Sequence, residues 1–135
     1  MTYLVDANVL SEATKSEPAP NVIDWLRTNE REIVVNPMII GEIQYGVLLL
    51  PNGRRKRRLQ QWFDGGIRRI HCIPWEVVSG LRWAELLADL RSKGRTMPIK
   101  DSLIATTALL HGLTVATRNI ADFAPAGVKL CNPFI

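Results

Sequence analysis

Tyr3-Leu4-Val5 is a short apolar run with no polar alternation, and the charged Asp6 follows at once. Such a run predicts a strand buried on both faces, as in a parallel sheet. Residues 32–35, 70–73, 113–117 and 128–130 read as further short strands. The segments between them have helical spacing. Residues 9–15 follow the cap-type Asn8 and end at Pro18-Ala19-Pro20. Asn21 is placed to cap the next helix, with Val22, Ile23, Trp25 and Leu26 as its apolar face. Asn36-Pro37 opens a helix over residues 37–50, with Ile39, Ile40, Ile43, Val47 and Leu50 facing the core. Residues 54–64 form a basic helix that stops at Gly65-Gly66. A long helix over residues 75–93 offers Leu81, Ala84, Leu87 and Ala88 as its buried stripe. Pro98 starts the last long helix, which His111-Gly112 closes, and Ala105, Thr106 and Ala108 keep one side of it small. Strands alternating with helices imply a parallel sheet covered on both faces, with right-handed crossovers.

The length, 135 residues, suits one domain spanning 1–135, and no repeat or linker interrupts it. Hydrophobic residues at 47% and charged residues at 22% are ordinary for a globular chain. No apolar run approaches the roughly 20 residues that cross a bilayer, and no signal peptide opens the chain. The expected location is therefore the cytoplasm. Cys72 and Cys131 lack metal-site spacing and read as two buried free thiols. His71 and His111 read as locally satisfied.

Charge changes the picture in one place. Lys and Arg number 17 against 13 acids, and five of those bases are consecutive: Arg54, Arg55, Lys56, Arg57 and Arg58. They open a helix, where the macrodipole disfavours cations, so local stability does not explain them. A patch of this kind suits phosphates or an acidic partner, although a solvated helix face is the plainer reading.

The acids converge by position. Asp6 follows the first strand, and Asn119 and Asp122 follow the fourth, so all three stand at strand carboxyl ends, where ligands of open α/β sheets bind. Asp101 lies in a helix first turn, a place the dipole alone would favour. Glu42, between Gly41 and Gly46, reaches the same cleft if those glycines let its helix pack closely; otherwise it is a solvated helix acid. Clustered carboxylates repel one another, and a divalent cation offsets that. Oxygen ligands without His or Cys select Mg²⁺ or Mn²⁺, and such ions at acid-lined sites support phosphodiester hydrolysis.

Four motifs in order carry a resemblance. They are Leu-Val-Asp6-Ala-Asn8-Val-Leu-Ser11-Glu12, Gly-Glu42-Ile-Gln-Tyr-Gly, Ile-Lys-Asp101-Ser-Leu-Ile-Ala-Thr-Thr-Ala, and Thr117-Arg118-Asn119 with Asp122-Phe123. Together they resemble the PIN-domain ribonucleases, and more closely the VapC/FitB-type toxins of type II toxin–antitoxin pairs. The resemblance implies an α/β, Rossmann-like fold with five parallel strands in order 3-2-1-4-5. It implies a metal-dependent endoribonuclease in which Asp6, Glu42 and Asp101 hold Mg²⁺ or Mn²⁺. Asn8 matches the residue that orients the first aspartate, and Thr117 the hydroxyl beside the site. Asn119 and Asp122 share the fourth-acid position. An amide at Asn119 implies one firmly held ion and a weaker second one. The bases Arg54 to Arg58 would contact RNA or antitoxin. The partners implied are an RNA substrate, a VapB/FitA-like antitoxin and a second copy of the chain, with assembly on operator DNA.

Two other readings compete. One is a PIN-like scaffold that binds RNA without cutting it, against which stands the presence of all three main acids. The other is a phospho-receiver domain, which wants an acid pair after the first strand. Here Asp6 is followed by Ala7.

Overall fold

The computed structural model describes residues 1–135. Strand β1 (Tyr3–Val5) lies between β2 (Ile33–Val34) and β3 (Thr114–Ala116), and β4 (Lys129–Cys131) pairs with β3. All pairings are parallel and the order is β2-β1-β3-β4. Leu4, Val5, Val115 and Ala116 are wholly buried, as central strands covered on both faces require.

The sheet has four strands, not the five expected. Residues 70–73 lie beside β2, where the order 3-2-1-4-5 would put them, but contribute only a bridge between Val35 and Cys72. Two hydrogen bonds hold it: Val35 N–H donates to the His71 carbonyl (3.0 Å) and Ile73 N–H to the Val35 carbonyl (2.8 Å). A tight 3-10 turn over Ile67–Arg69 leads in, and Pro74 follows. Proline cannot donate to a ladder, so little chain is left to pair.

Seven helices complete the fold: α1 (Ala7–Leu10), α2 (Pro20–Thr28), α3 (Pro37–Leu48), α4 (Arg54–Gly65), α5 (Val77–Ser92), α6 (Ile99–His111) and α7 (Ile120–Phe123). None is long and apolar enough to cross a membrane. The core is one cluster that draws on every strand but the half-exposed edge strand β4, and on every helix. Phe123, Ile39 and Ile104 are among its fully buried members.

Several local expectations are corrected. Asp6, not Asn8, caps α1, because its own carboxylate accepts the Ala7 N–H. Helix α2 starts at Pro20 with Ala19 as its cap residue, and the Asn21 side chain instead donates to the Phe134 carbonyl. Helix α5 buries Ser79, Leu86 and Leu90, while Leu81, Ala84 and Ala88 are exposed. Apolar residues lie all round this helix, and Trp83 decides its rotation by donating its indole N–H to Ser102 on α6 (2.9 Å). Cys131 is half-buried and Cys72 exposed, both as free thiols. Glu12 is buried, accepts the Ala19 N–H (2.8 Å) and pairs with Lys15, so it fastens the turn between α1 and α2.

Asn36 matters most for the site. It is fully buried, its Oδ1 accepts the Ile39 N–H (3.1 Å), and its Nδ2 donates to Thr107 Oγ1 on α6 (3.1 Å). One side chain thus caps α3 and ties it to α6, the two helices that carry Glu42 and Asp101. Asn36→Ala removes the cap and leaves Thr107 without this donor. Urea unfolding should show a loss of about 2 kcal/mol. A loss no greater than that of an ordinary surface change would mean the link is dispensable.

Candidate active site

Strand β1 delivers Asp6 to the carboxyl end of the sheet, and β3 ends beside it: the Asp6 N–H donates to the Ala116 carbonyl (2.9 Å). The carboxylate is nearly inaccessible, at 2% exposed. Its Oδ1 accepts the Ala7 N–H (2.8 Å), and its Oδ2 accepts the Thr117 hydroxyl (2.8 Å) and, at 3.4 Å, the Asn8 amide. Burial raises the Asp6 pKa, and the bonds from Thr117 and Ala7 oppose the rise without cancelling it. Thr117 also accepts the Asn119 N–H (3.0 Å), and Asn8 Oδ1 accepts the Arg118 N–H (3.2 Å). The segment after β3 is therefore laced to the segment after β1.

Asp101 comes from the first turn of α6 and is 3% exposed. Its pKa is pushed up to about 6, chiefly by burial and then by the Asp6 charge; Asp122 and Glu42 add to the rise and Lys100 opposes it. Asp122 is exposed on α7, yet its charge is felt at Asp101. Asn119 is exposed at the start of α7, and its side chain caps nothing. The segments bearing Asp6, Glu42, Asp101, Asn119 and Asp122 thus border one electrostatic environment.

Glu42 arrives differently from the expectation. Gly41 and Gly46 are exposed, and a Cβ at either would touch nothing, so close backbone approach is not their role. Glu42 instead faces α6, where its Oε1 meets Lys100 Nζ at 2.5 Å. Lys100 is the residue that sequence reasoning passed over. It adjoins Asp101, which was the available signal, but its partner Glu42 lies 58 positions away. Burial works against its charge, but Glu42, Asp101 and Asp6 outweigh that and lift its pKa.

The five consecutive bases do not act as one. Lys56 is spent on the end of α3, donating to the Leu48 carbonyl (3.1 Å) and to Asn52 (3.3 Å). Arg54 and Arg57 are exposed. Arg55 and Arg58, three apart on one helix face, line a recess with Thr14, Lys15 and Ser16. Arg55 also lines a groove of about 430 Å³ together with Asn8, Glu42, Tyr45 and Trp62.

A divalent ion suits this donor set. Every side chain offered is a hard oxygen donor, and Glu42 Oε2 is buried with no hydrogen-bond partner. The acids do not gather into a closed cage of three ligands. Mg²⁺ needs none, because it keeps several waters and takes one or two carboxylates directly.

The raised Asp101 pKa has a consequence for stability. The folded state holds this proton more tightly than the unfolded chain, whose value is near 3.8. The resulting stabilisation is complete below that value and is lost as pH rises through about 6. Asp101→Asn carries no such dependence. In metal-free buffer its melting temperature relative to wild type should climb between about pH 4 and 7 and then level off. A constant difference across that range would mean that Asp101 titrates normally.

With this geometry established, similarities to known proteins are informative. The PIN domain family pattern matches residues 3–124. The chain is 29% identical to VapC ribonuclease Y4jK of Sinorhizobium fredii over 97% of this chain and 96% of that protein. It is 30% identical to Toxin FitB of Neisseria gonorrhoeae over 97% of both. A solved structure of FitAB bound to an IR36 DNA fragment superposes with a TM-score of 0.93 at 28% identity, covering 99% of this chain and 96% of that one. The chain belongs to the PIN domain family.

Proposed function

We propose that this protein is a metal-dependent endoribonuclease toxin that hydrolyses RNA phosphodiester bonds and is neutralised by a cognate antitoxin. The observation that carries the reading is the charge coupling of buried Asp101 to Asp6 and Glu42, with Glu42 Oε2 left buried and unpartnered. Similarity to a VapC ribonuclease and to Toxin FitB over nearly the whole chain supports the same activity.

Asp6, Glu42 and Asp101 would hold the ion, Mg²⁺ or Mn²⁺, in part through waters. The ion, when bound, supplies activation of a water nucleophile and neutralises charge that develops on the phosphoryl group. The chain's own residues provide the rest. Thr117, Asn8 and the Ala7 N–H fix the Asp6 carboxylate in one orientation, so no reorganisation is needed when substrate arrives. Asp101, with a pKa of about 6, gives up its proton readily near neutral pH once a cation is near. Asn119 and Asp122 would share the fourth-acid position, with the Asp122 charge already acting on Asp101. Arg55 and Arg58 are the members of the basic run placed to meet an RNA backbone.

The groove that Glu42 and Arg55 both line is where an antitoxin segment would compete with RNA, since it combines an acid and a base of the two regions with apolar walls at Tyr45 and Trp62. The similarity to FitAB bound to an IR36 DNA fragment supports a FitA-like partner and assembly on DNA. A scaffold that binds RNA without cutting it is the weaker reading, because the buried acids reduce stability unless a cation uses them.

The test is cleavage of a mixed tRNA and ribosomal RNA pool with Mg²⁺, with Mn²⁺ and with EDTA. Discrete products should form with metal and vanish in EDTA. Asp6→Ala and Asp101→Asn should each lower the rate by at least about a hundredfold while keeping the native circular dichroism spectrum. Wild-type cleavage by folded Asp101→Asn would sink the assignment.

A further inference from the structure

We propose that Lys100 is a resident cation of the acid site and supplies its second positive charge beside a single divalent ion. The inference rests on the metal-dependent reading above and specifies how that site is balanced. Lys100 Nζ sits 2.5 Å from Glu42 Oε1 and joins the first turn of α6 to the middle of α3. About half of its side chain remains exposed, so the charge is in reach of solvent as well as of the acids. The two oxygens of Glu42 are thereby divided. Oε1 is neutralised by Lys100, and Oε2 is left buried without a partner, a donor that a metal ion would satisfy.

Charge and ligand supply both point to one ion. Asp6, Glu42 and Asp101 carry three negative charges when ionised, which one divalent ion and one ammonium match, while solvent screens the fourth acid, the exposed Asp122. A second divalent ion would sit near the ammonium and be repelled by it. At the segment after β3 it would find one neutral amide, Asn119, and one carboxylate, Asp122. Lys100, half-exposed beside the carboxylates, would also meet an incoming phosphate with a positive charge. Its ammonium offsets their repulsion of a polyanion before any metal arrives. The same cation therefore opposes metal binding and favours RNA binding.

Those opposite signs make the test decisive. Wild type, Lys100→Met and Lys100→Arg are titrated with Mn²⁺ by calorimetry. Their affinity for an end-labelled tRNA pool is measured by fluorescence anisotropy in EDTA, where no cleavage occurs. Wild type should take one Mn²⁺ per chain. Lys100→Met should bind Mn²⁺ about tenfold tighter and the RNA about threefold weaker. Lys100→Arg should keep the wild-type values. A Lys100 that merely holds α3 to α6 would weaken both or change neither, and either result overturns the proposal, as does a wild type that takes two ions. A wild type that takes no Mn²⁺ overturns the metal-dependent reading itself and the role of Lys100 with it. That failure shows in the wild-type trace rather than in the comparison of variants.

Discussion

The burial of the Asp6 carboxylate is the constraint around which the structure is arranged. An ionised carboxylate taken from water without partners is too costly to keep, and the usual outcome is protonation or local opening. Here three donors meet it: the Ala7 N–H, the Thr117 hydroxyl and, more distantly, the Asn8 amide. Each comes from a turn that leaves a strand end, so satisfying one charge also fastens the exit of β1 to the exit of β3. Asn8 and Thr117 then accept backbone N–H groups from residues 118 and 119. The floor of the site and the junction of the two central strands are the same set of hydrogen bonds.

Around that floor the fold accepts a destabilising arrangement. Asp101 is buried near Asp6 and its pKa rises to about 6, so the metal-free protein holds a carboxylate that resists ionisation. The helix dipole favours an acid in this first turn but does not outweigh the burial. Lys100 relieves part of the strain through Glu42, and a divalent ion would relieve more. Sites that store unfavourable charge in the free state and release it on binding are how catalytic machinery commonly departs from maximal stability.

Much of the fold was legible because its signals are local. The apolar runs of β1, β2 and β3, the Asn-Pro start of α3 and the Gly112 end of α6 each follow from residues within a few positions. The acids at strand ends were legible for the same reason. What misled was equally physical. Residues 70–73 have strand-like composition, but the turn before them and Pro74 after them leave room for one bridge. Helix α5 offers apolar residues on more than one face, and a bond from Trp83 to another helix chose the buried one. Gly41 and Gly46 suggested close packing beside Glu42, yet both face solvent.

Hydrophobic period and turn chemistry act over short spans of chain, so the residues alone imply an alternating α/β chain, a parallel sheet, and Asp6 and Asp122 beyond strand carboxyl ends. Tertiary structure alone decided which side chains share a field. Lys100 and Asp101 are neighbours in sequence, but Lys100 meets Glu42 across the packing of α3 on α6, which Asn36 helps hold by capping α3 and binding Thr107. The five-residue basic run was divided in the same way, with Lys56 taken by the end of α3 and Arg55 and Arg58 turned toward a recess. Coulombic and hydrogen-bond partners depend on distances in space, and separations of tens of residues leave no trace in local pattern.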